Sequence, residues 1–276
     1  IKTPPLGGWG ATLSGPFTQL LTMDNLPERG KLSDEQLEII PNGGILHQEG
    51  RILAVGNFER LRRDNPDAEI EFFEGDFVCL PGMIDVHTHI CWAGSRANDY
   101  AMRLAGKTYL EIAEAGGGIW STVMKTREAS VEELAELTFE RAEKLYQQGV
   151  TTIEVKSGYG LSVEQEFKML KAIKLANEKS RAELVPTCLA AHMKPKDFVG
   201  TEREYLQHIV ENLLPEVKKQ NMAGRVDIFV EKGAFSVSDA KYYLSEAKKM
   251  GFDAVIHGDQ FSSGCASLAA EIQAIS

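Results

Sequence analysis

The sequence is poor in cysteine, has no long apolar run and carries no excess of basic residues. Its four cysteines, Cys79, Cys91, Cys188 and Cys265, include no Cys-x-x-Cys pair, which argues against a disulfide framework and favours reduced thiols in a cytoplasmic protein. No apolar stretch reaches about 18 residues and no basic-then-apolar signal opens the chain, so neither a membrane span nor secretion is predicted. The net charge of −10 argues against a nucleic-acid-binding surface, which requires clustered basic residues.

What is present is an ordinary globular composition. The 276 residues contain 43% apolar and 25% charged side chains, enough for one large α/β barrel with a small additional domain. Residues 43–47 and 52–56 flank a turn at Glu49-Gly50 and predict a β-hairpin. We therefore expect residues 1–78 to form a small β-rich domain, the N-terminal part of a β-sandwich-like domain, and residues 79–276 to form the barrel domain.

From residue 79 onward, apolar runs of strand length alternate with helical periods. The predicted strands are Gly82–Val86, Thr151–Val155, Glu183–Leu189, Arg225–Val230 and Asp253–Ile256. The predicted helices are Val131–Gln148, with a capping box of Ser130 and Glu133, and Val163–Lys179, with a capping box of Ser162 and Gln165. This alternation predicts an α/β fold, a (β/α)8-type TIM barrel with parallel strands. About five of the eight βα units are visible, so we expect an incomplete barrel, truncated at its C-terminal side, from a longer chain.

Three histidines stand at the ends of predicted strands. His87 and His89 close the first strand at positions i and i+2, so both side chains point the same way. His257 ends the fifth predicted strand and projects at the same face of a barrel. Three imidazoles there predict a site for one metal ion, Zn²⁺ or Fe. The alternatives are two surface histidines and one core histidine. A carboxylate ligand is expected on a later strand that this chain does not contain.

Other polar residues near predicted strand ends could contact a ligand at the same face of the barrel. Arg96 can hold a carboxylate through paired hydrogen bonds, although a surface salt bridge is the alternative. Tyr159 lies between glycines whose backbone can approach a ligand, or it is a packing residue. His192 can hydrogen-bond a carbonyl or an amide, or belong to the core. Glu231 and Lys156 are weaker candidates for bridging a second metal; we expect one metal, with Glu231 as a supporting or helix-capping acid.

The sequence resembles imidazolonepropionases, a family of the amidohydrolase superfamily, over nearly the whole chain. The segments that carry the resemblance are Leu80 to Arg96, Ala115-Gly116-Gly117-Gly118-Ile119, Lys156-Ser157-Gly158-Tyr159-Gly160, Ala190-Ala191-His192 and His257-Gly258-Asp259-Gln260. The His-x-His pair marks only the superfamily, whereas the Ala-Gly-Ser-Arg, Ser-Gly-Tyr-Gly and Ala-His elements are typical of this family.

The resemblance implies metal-dependent hydrolysis of 4-imidazolone-5-propanoate to N-formimidoyl-L-glutamate, in the cytoplasmic degradation of histidine. It implies His87, His89 and His257 as metal ligands. The implied substrate-binding residues are Arg96, Tyr159, His192 and Gln260, of which His192 is also implied to be catalytic. A small molecule with a carboxylate tail is the implied partner, and a homodimer is possible. The family's fourth ligand, in an Asp-x-Asn-Pro-Gly-Thr segment, and a proton-transfer histidine have no counterpart within residues 1–276.

Two other functions remain open from the sequence. Purine and pyrimidine deaminases of the same superfamily carry a glutamate three residues after the last histidine ligand, where this chain has Gln260, which cannot titrate. That difference, together with Arg96, favours amide hydrolysis over deamination. The second alternative is a metal-binding fragment without catalytic activity.

Overall fold

The computed structural model describes residues 10–27, 30–108, 111–112, 115–260 and 262–275. The chain divides into two compact units, Ile1–Gly82 and Met83–Ser276. The structure shows no helix, within these residues, that is long and apolar enough to cross a membrane.

The first unit is built on one mixed β-sheet. Its strands are β1 (Thr12–Leu21), β2 (Ile39–Gln48), β3 (Arg51–Asn57), β4 (Glu69–Phe72) and β5 (Val78–Cys79), with a short helix α1 (Phe58–Asp64). The order is β3-β2-β1-β4, and β5 also pairs with β1. β1 and β3 are antiparallel to β2, whereas β4 and β5 are parallel to β1.

The predicted hairpin of the first unit is confirmed. Glu49 and Gly50 form the two-residue turn between β2 and β3, with φ values of 49° and 74°. Positive φ at both turn residues is typical of the type I′ turn, whose twist matches that of the flanking strands. His47 in β2 lies beside Ser14, with its Nε2 atom 2.9 Å from the serine Oγ atom, and so has a partner within the sheet.

The second unit is a parallel sheet with helices between its strands. The strands are β6 (Met83–Thr88), β7 (Val150–Lys156), β8 (Glu183–Ala191), β9 (Arg225–Val230) and β10 (Asp253–Gly258), paired in chain order. The helices are α2 (Ala97–Leu104), α3 (Gly118–Glu128), α4 (Val131–Tyr146), α5 (Val163–Lys179), α6 (Glu202–Asn212), α7 (Leu214–Lys219), α8 (Val237–Lys249) and α9 (Ala266–Ile272). All four neighbouring strand pairs are parallel, as the βα alternation predicts.

The helix starts differ from the prediction in one detail. The Ser130 side chain accepts a hydrogen bond from the backbone N–H of Glu133, and Ser162 accepts one from Gln165. The return bond from the third residue to the cap backbone is not formed in either helix, so the predicted capping boxes are only N-caps. A complete box occurs instead at α6, between Thr201 and Glu204. Each N-cap still satisfies one of the unpaired N–H groups at the helix start.

Burial differs strongly between the edge and the interior of the parallel sheet. Ile153 and Val155 in β7 are fully buried. The apolar residues of edge strand β6 are not: Met83, Ile84 and Val86 are 51%, 65% and 62% exposed. The core of the unit therefore lies around the inner strands and the helices that cover them.

Candidate metal centre

The imidazoles of His87, His89 and His257 converge. One ring nitrogen from each lies within 4.8 Å of the others, an arrangement that could hold a metal ion. The Nε2 atoms of His89 and His257 are 3.0 Å apart, and the ring centroids of His87 and His257 are 4.1 Å apart.

This convergence requires a curved sheet. β6 and β10 are the two edge strands, and four interstrand gaps of about 4.8 Å would separate them by roughly 19 Å in a flat sheet. Histidine side chains are too short to meet across that distance. The sheet must therefore curl, as part of a barrel does, so that both strand ends face one point.

The surroundings of His87 and His89 favour neutral rings. Burial, followed by the influence of nearby His192 and His257, lowers the pKa of His89 to about 3. Burial, followed by the influence of His257, also lowers the pKa of His87. The buried Nδ1 atom of His89 has no hydrogen-bond partner in the part of the chain that is described. Neutral imidazoles with facing lone pairs suit a cation: two nitrogens on one tetrahedral Zn²⁺ would lie about 3.4 Å apart.

His192 lies next to this cluster, directly after β8. Its ring centroid is 5.4 Å from that of His89, and only 7% of the residue is exposed. Its Nδ1 atom is 2.9 Å from the carbonyl oxygen of Gly158. Because a carbonyl can only accept, Nδ1 carries the proton and Nε2 is a hydrogen-bond acceptor. Burial lowers the pKa of His192 to about 4, so the ring stays neutral near pH 7.

Tyr159 lies in a loop that a buried carboxylate organises. Its ring centroid is 5.4 Å from that of His192. Glu166, fully buried in α5, accepts the backbone N–H groups of Gly158, Gly160 and Leu161 at 3.0, 2.8 and 2.7 Å. Three bonds to one carboxylate fix the backbone on both sides of Tyr159. Glu166 was not among the predicted site residues; the available signal was a glutamate on the apolar face of the predicted helix.

Arg96 lies directly before α2, and one of its guanidinium nitrogens is already paired with a carboxylate. Its Nε atom donates to Asp99 at 2.9 Å, and 42% of its side chain is exposed. Asp99 also accepts the backbone N–H of Gly118, so it ties two segments together. Burial raises the pKa of Tyr159, and the charge of Arg96 acts in the opposite direction. That influence brings Arg96 into the electrostatic surroundings of the site, together with its ion pair to Asp99.

Gln260 lies on the loop after β10, where its side chain is exposed. Its backbone N–H donates to Glu231 Oε1 at 2.7 Å, and the Ser262 hydroxyl donates to Glu231 Oε2 at 2.6 Å. Glu231 thus supports the loop that carries Gln260. The helix that follows β9 is capped by Ser236 instead, so the expected helix-capping role of Glu231 is not what the geometry supports.

Lys156 has a different environment from the one a second metal would need. Its ammonium group is fully buried, 2.6 Å from Glu154 Oε1 and 2.9 Å from Asp227 Oδ2. An ammonium paired with a carboxylate on each side is already engaged in structural contacts, which argues against a modified lysine that bridges two metals. Asp227 also approaches His257, with 2.6 Å between Oδ2 and Nδ1. Glu154 and Asp227 were not among the predicted site residues, and Lys156 was considered only for a second metal.

Known proteins with similar sequences match nearly the whole chain, and they are imidazolonepropionases. Imidazolonepropionase of Streptococcus gordonii is 43% identical over 244 residues, which is 88% of this chain and 58% of that protein. Imidazolonepropionase of Symbiobacterium thermophilum is 42% identical over 263 residues, 94% of this chain and 61% of that protein. The chain is a homologue of the imidazolonepropionases. It spans about three fifths of the length of the curated imidazolonepropionases that it matches.

A family model and several solved structures are also similar to this chain. The model of the bacterial imidazolonepropionase-like composite domain matches residues 43–68. Escherichia coli guanine deaminase matches with a TM-score of 0.58 at 11% identity, over 89% of this chain and 52% of that one. A mutant of atrazine chlorohydrolase from Arthrobacter aurescens, complexed with zinc and atraton, matches with a TM-score of 0.54 at 14% identity, over 95% of this chain and 55% of that one. At such low identity these likenesses show the fold alone, a partial TIM-like barrel as in amidohydrolases.

Proposed function

We propose that this chain carries most of the active site of a metal-dependent hydrolase that opens the cyclic amide 4-imidazolone-5-propanoate to N-formimidoyl-L-glutamate. The observation that carries the proposal is the convergence of His87, His89 and His257 in a chain 42–43% identical to imidazolonepropionases. The reaction belongs to histidine degradation, and its substrate is a small molecule with a carboxylate tail.

The three histidines would hold one Zn²⁺ or Fe ion through neutral ring nitrogens. When bound, such an ion activates water and polarises a carbonyl group at neutral pH. Three imidazoles suit either metal, so the ligand set does not distinguish between them. The lowered pKa values of His87 and His89 have a direct use, because protons compete less with the cation for these two rings near pH 7.

The remaining residues would bind and orient the substrate. The terminal nitrogens of Arg96 would hold the propionate carboxylate through paired hydrogen bonds. His192 offers Nε2 as an acceptor, which suits a ring N–H of the imidazolone better than its carbonyl oxygen. Tyr159 and Gln260 would complete the pocket with a hydroxyl and an amide. We propose His192 as the catalytic residue among them because it can contact the ring beside the reacting bond.

The cellular setting follows from the same proposal. Cys91, Cys188 and Cys265 are buried free thiols, and Cys79 is a partly exposed one. Free thiols are typical of the reducing cytoplasm, where we place the reaction. A homodimer is the assembly that we propose.

The test is an activity assay on the intact protein after metal loading. We expect loss of imidazolone absorbance with 4-imidazolone-5-propanoate and no release of ammonia from guanine or cytosine. His257→Ala should abolish this activity and reduce bound metal. The matched control is His208→Ala, which removes an exposed histidine of α6 and should leave both unchanged. Deamination of guanine or cytosine without imidazolone hydrolysis would replace the proposal with a deaminase, and metal binding without either activity would leave only a binding role.

A further inference from the structure

A buried network of polar side chains, the polar network, crosses the parallel sheet beneath the three histidines. On β6, Thr88 donates its backbone N–H to Glu154 Oε2 at 3.2 Å and its hydroxyl to the Glu154 carbonyl oxygen at 2.6 Å. The Glu154 carboxylate contacts the Lys156 ammonium at 2.6 Å. Lys156 reaches Asp227 on β9 at 2.9 Å, and Asp227 reaches His257 Nδ1 on β10 at 2.6 Å. The polar network thus links the backbone between His87 and His89 to the ring of His257.

These charges are sealed from water. Lys156 and Asp227 have no exposed surface, and Glu154 is 4% exposed. Isolated charges at such depth are costly, so each needs a partner with good geometry. The two carboxylates and the one ammonium give this polar network a formal net charge of −1. A cation on the far side of the His257 ring would offset that charge.

We infer that Asp227 and Lys156 are positioning residues for the cation site: Asp227 orients the His257 ring, and Lys156 holds Asp227 and Glu154 in place. The inference rests on the proposed function, because it requires His257 to bind a cation. The 2.6 Å contact between Asp227 Oδ2 and His257 Nδ1 is not aligned as a hydrogen bond, but a carboxylate this close to Nδ1 favours a proton on Nδ1 and the lone pair on Nε2. Nε2 is the atom that faces His89, 3.0 Å away.

The same ammonium also affects the other half of the site. Lys156 fixes the Glu154 carboxylate, which in turn accepts the backbone N–H of Thr88, the residue between the two histidines of β6. The buried Lys156 ammonium thereby sets the separation between histidines that come from opposite edges of the sheet. β6 and β10 share no backbone pairing in the described part of the sheet, because three strands lie between them.

The test is a Co²⁺ titration, followed by visible absorption and by competition with a chelating dye. In Asp227→Asn the carboxylate charge is lost, and the amide can present its NH₂ group to Nδ1, so the proton is no longer fixed there. We expect Co²⁺ affinity about 10–100-fold lower than in the unsubstituted chain, with a changed visible spectrum. Asp227→Glu, which keeps the charge beside Lys156 but displaces the carboxylate by one methylene, should also weaken binding.

Glu166→Gln is the matched control. It makes the same carboxylate-to-amide change at a fully buried site that serves the Tyr159 loop, and it should leave Co²⁺ affinity unchanged. If both Asp227 variants fold, by circular dichroism, and bind Co²⁺ as tightly as the unsubstituted chain, the positioning role is wrong. If Asp227→Asn does not fold, Asp227→Glu decides. If the unsubstituted chain itself binds no Co²⁺, the metal-dependent function fails, which is a different result.

Discussion

The two buried carboxylates around the site, Asp227 and Glu166, are stabilised in opposite ways. Asp227 lies between an ammonium and an imidazole, so its charge is matched by side chains from two other strands, β7 and β10. Glu166 is matched by three backbone N–H groups of one loop. The first arrangement fixes side chains on rigid strands, and the second fixes a loop backbone. The difference teaches that cation ligands and substrate-binding residues can be positioned by separate devices, whose removal should have separable effects.

The largest effect should come from removing the shared ammonium. Lys156→Met leaves the Glu154 and Asp227 carboxylates buried without their partner, and breaking a buried ion pair in this way costs about 3–5 kcal/mol of stability. Urea unfolding at pH 7 measures the change. A loss below about 1 kcal/mol would mean that the two carboxylates can take up protons or water cheaply, and the charge-matched description of Asp227 would be wrong.

Acidification should affect the site histidines that lack such a carboxylate. The folded-state pKa values of His89 and His192 are about 3 and about 4, below the ordinary value of 6.5. Between each folded-state pKa and 6.5, the unfolded chain binds more protons than the folded chain does. The free energy of unfolding therefore falls as the pH falls from 6.5 towards 4. For well-buried His192 alone the loss is on the order of 3 kcal/mol. Urea unfolding of chelator-treated protein across this range measures it, and His192→Gln should flatten the slope; an unchanged slope would contradict the low pKa.

A smaller effect is expected from the loop side. Glu166→Gln turns an acceptor of three N–H groups into an amide that can satisfy them only partly, at a cost of about 1–3 kcal/mol. Because Tyr159 is held by this loop, KM for the imidazolone should rise while metal content stays constant. Urea unfolding, steady-state kinetics and metal analysis separate these readouts. Loss of metal in this variant would show that the two devices are coupled.

The smallest effect is expected at Thr88, the end of the polar network that lies farthest from His257. Thr88→Val removes the hydroxyl bond to the Glu154 carbonyl but keeps the backbone bond to the Glu154 carboxylate. We expect a loss of about 1 kcal/mol by urea unfolding, since one neutral hydrogen bond is removed at similar volume. Co²⁺ affinity should change little. A large drop in that affinity would place Thr88 itself among the residues that position the cation.

Much of the fold was predictable because its signals are local. The strand Arg225–Val230 and the helix Val163–Lys179 were predicted with the observed bounds, since apolar periodicity and an N-cap serine define them within the chain. The capping boxes were wrong because the return bond depends on side-chain rotamers. Glu154, Lys156 and Asp227 were missed as a network because their meaning depends on contacts between different strands. A charged residue within an apolar strand is visible in the sequence, but its partner is not.

The exposed apolar edge of β6 leaves room for another strand. Met83, Ile84 and Val86 lie uncovered on a strand that is paired along one side only in the described sheet. A row of unpaired peptide groups beside apolar side chains is a place where a further strand can pair. In a closed barrel, such a strand would complete the hydrogen bonds of β6 and cover these three side chains.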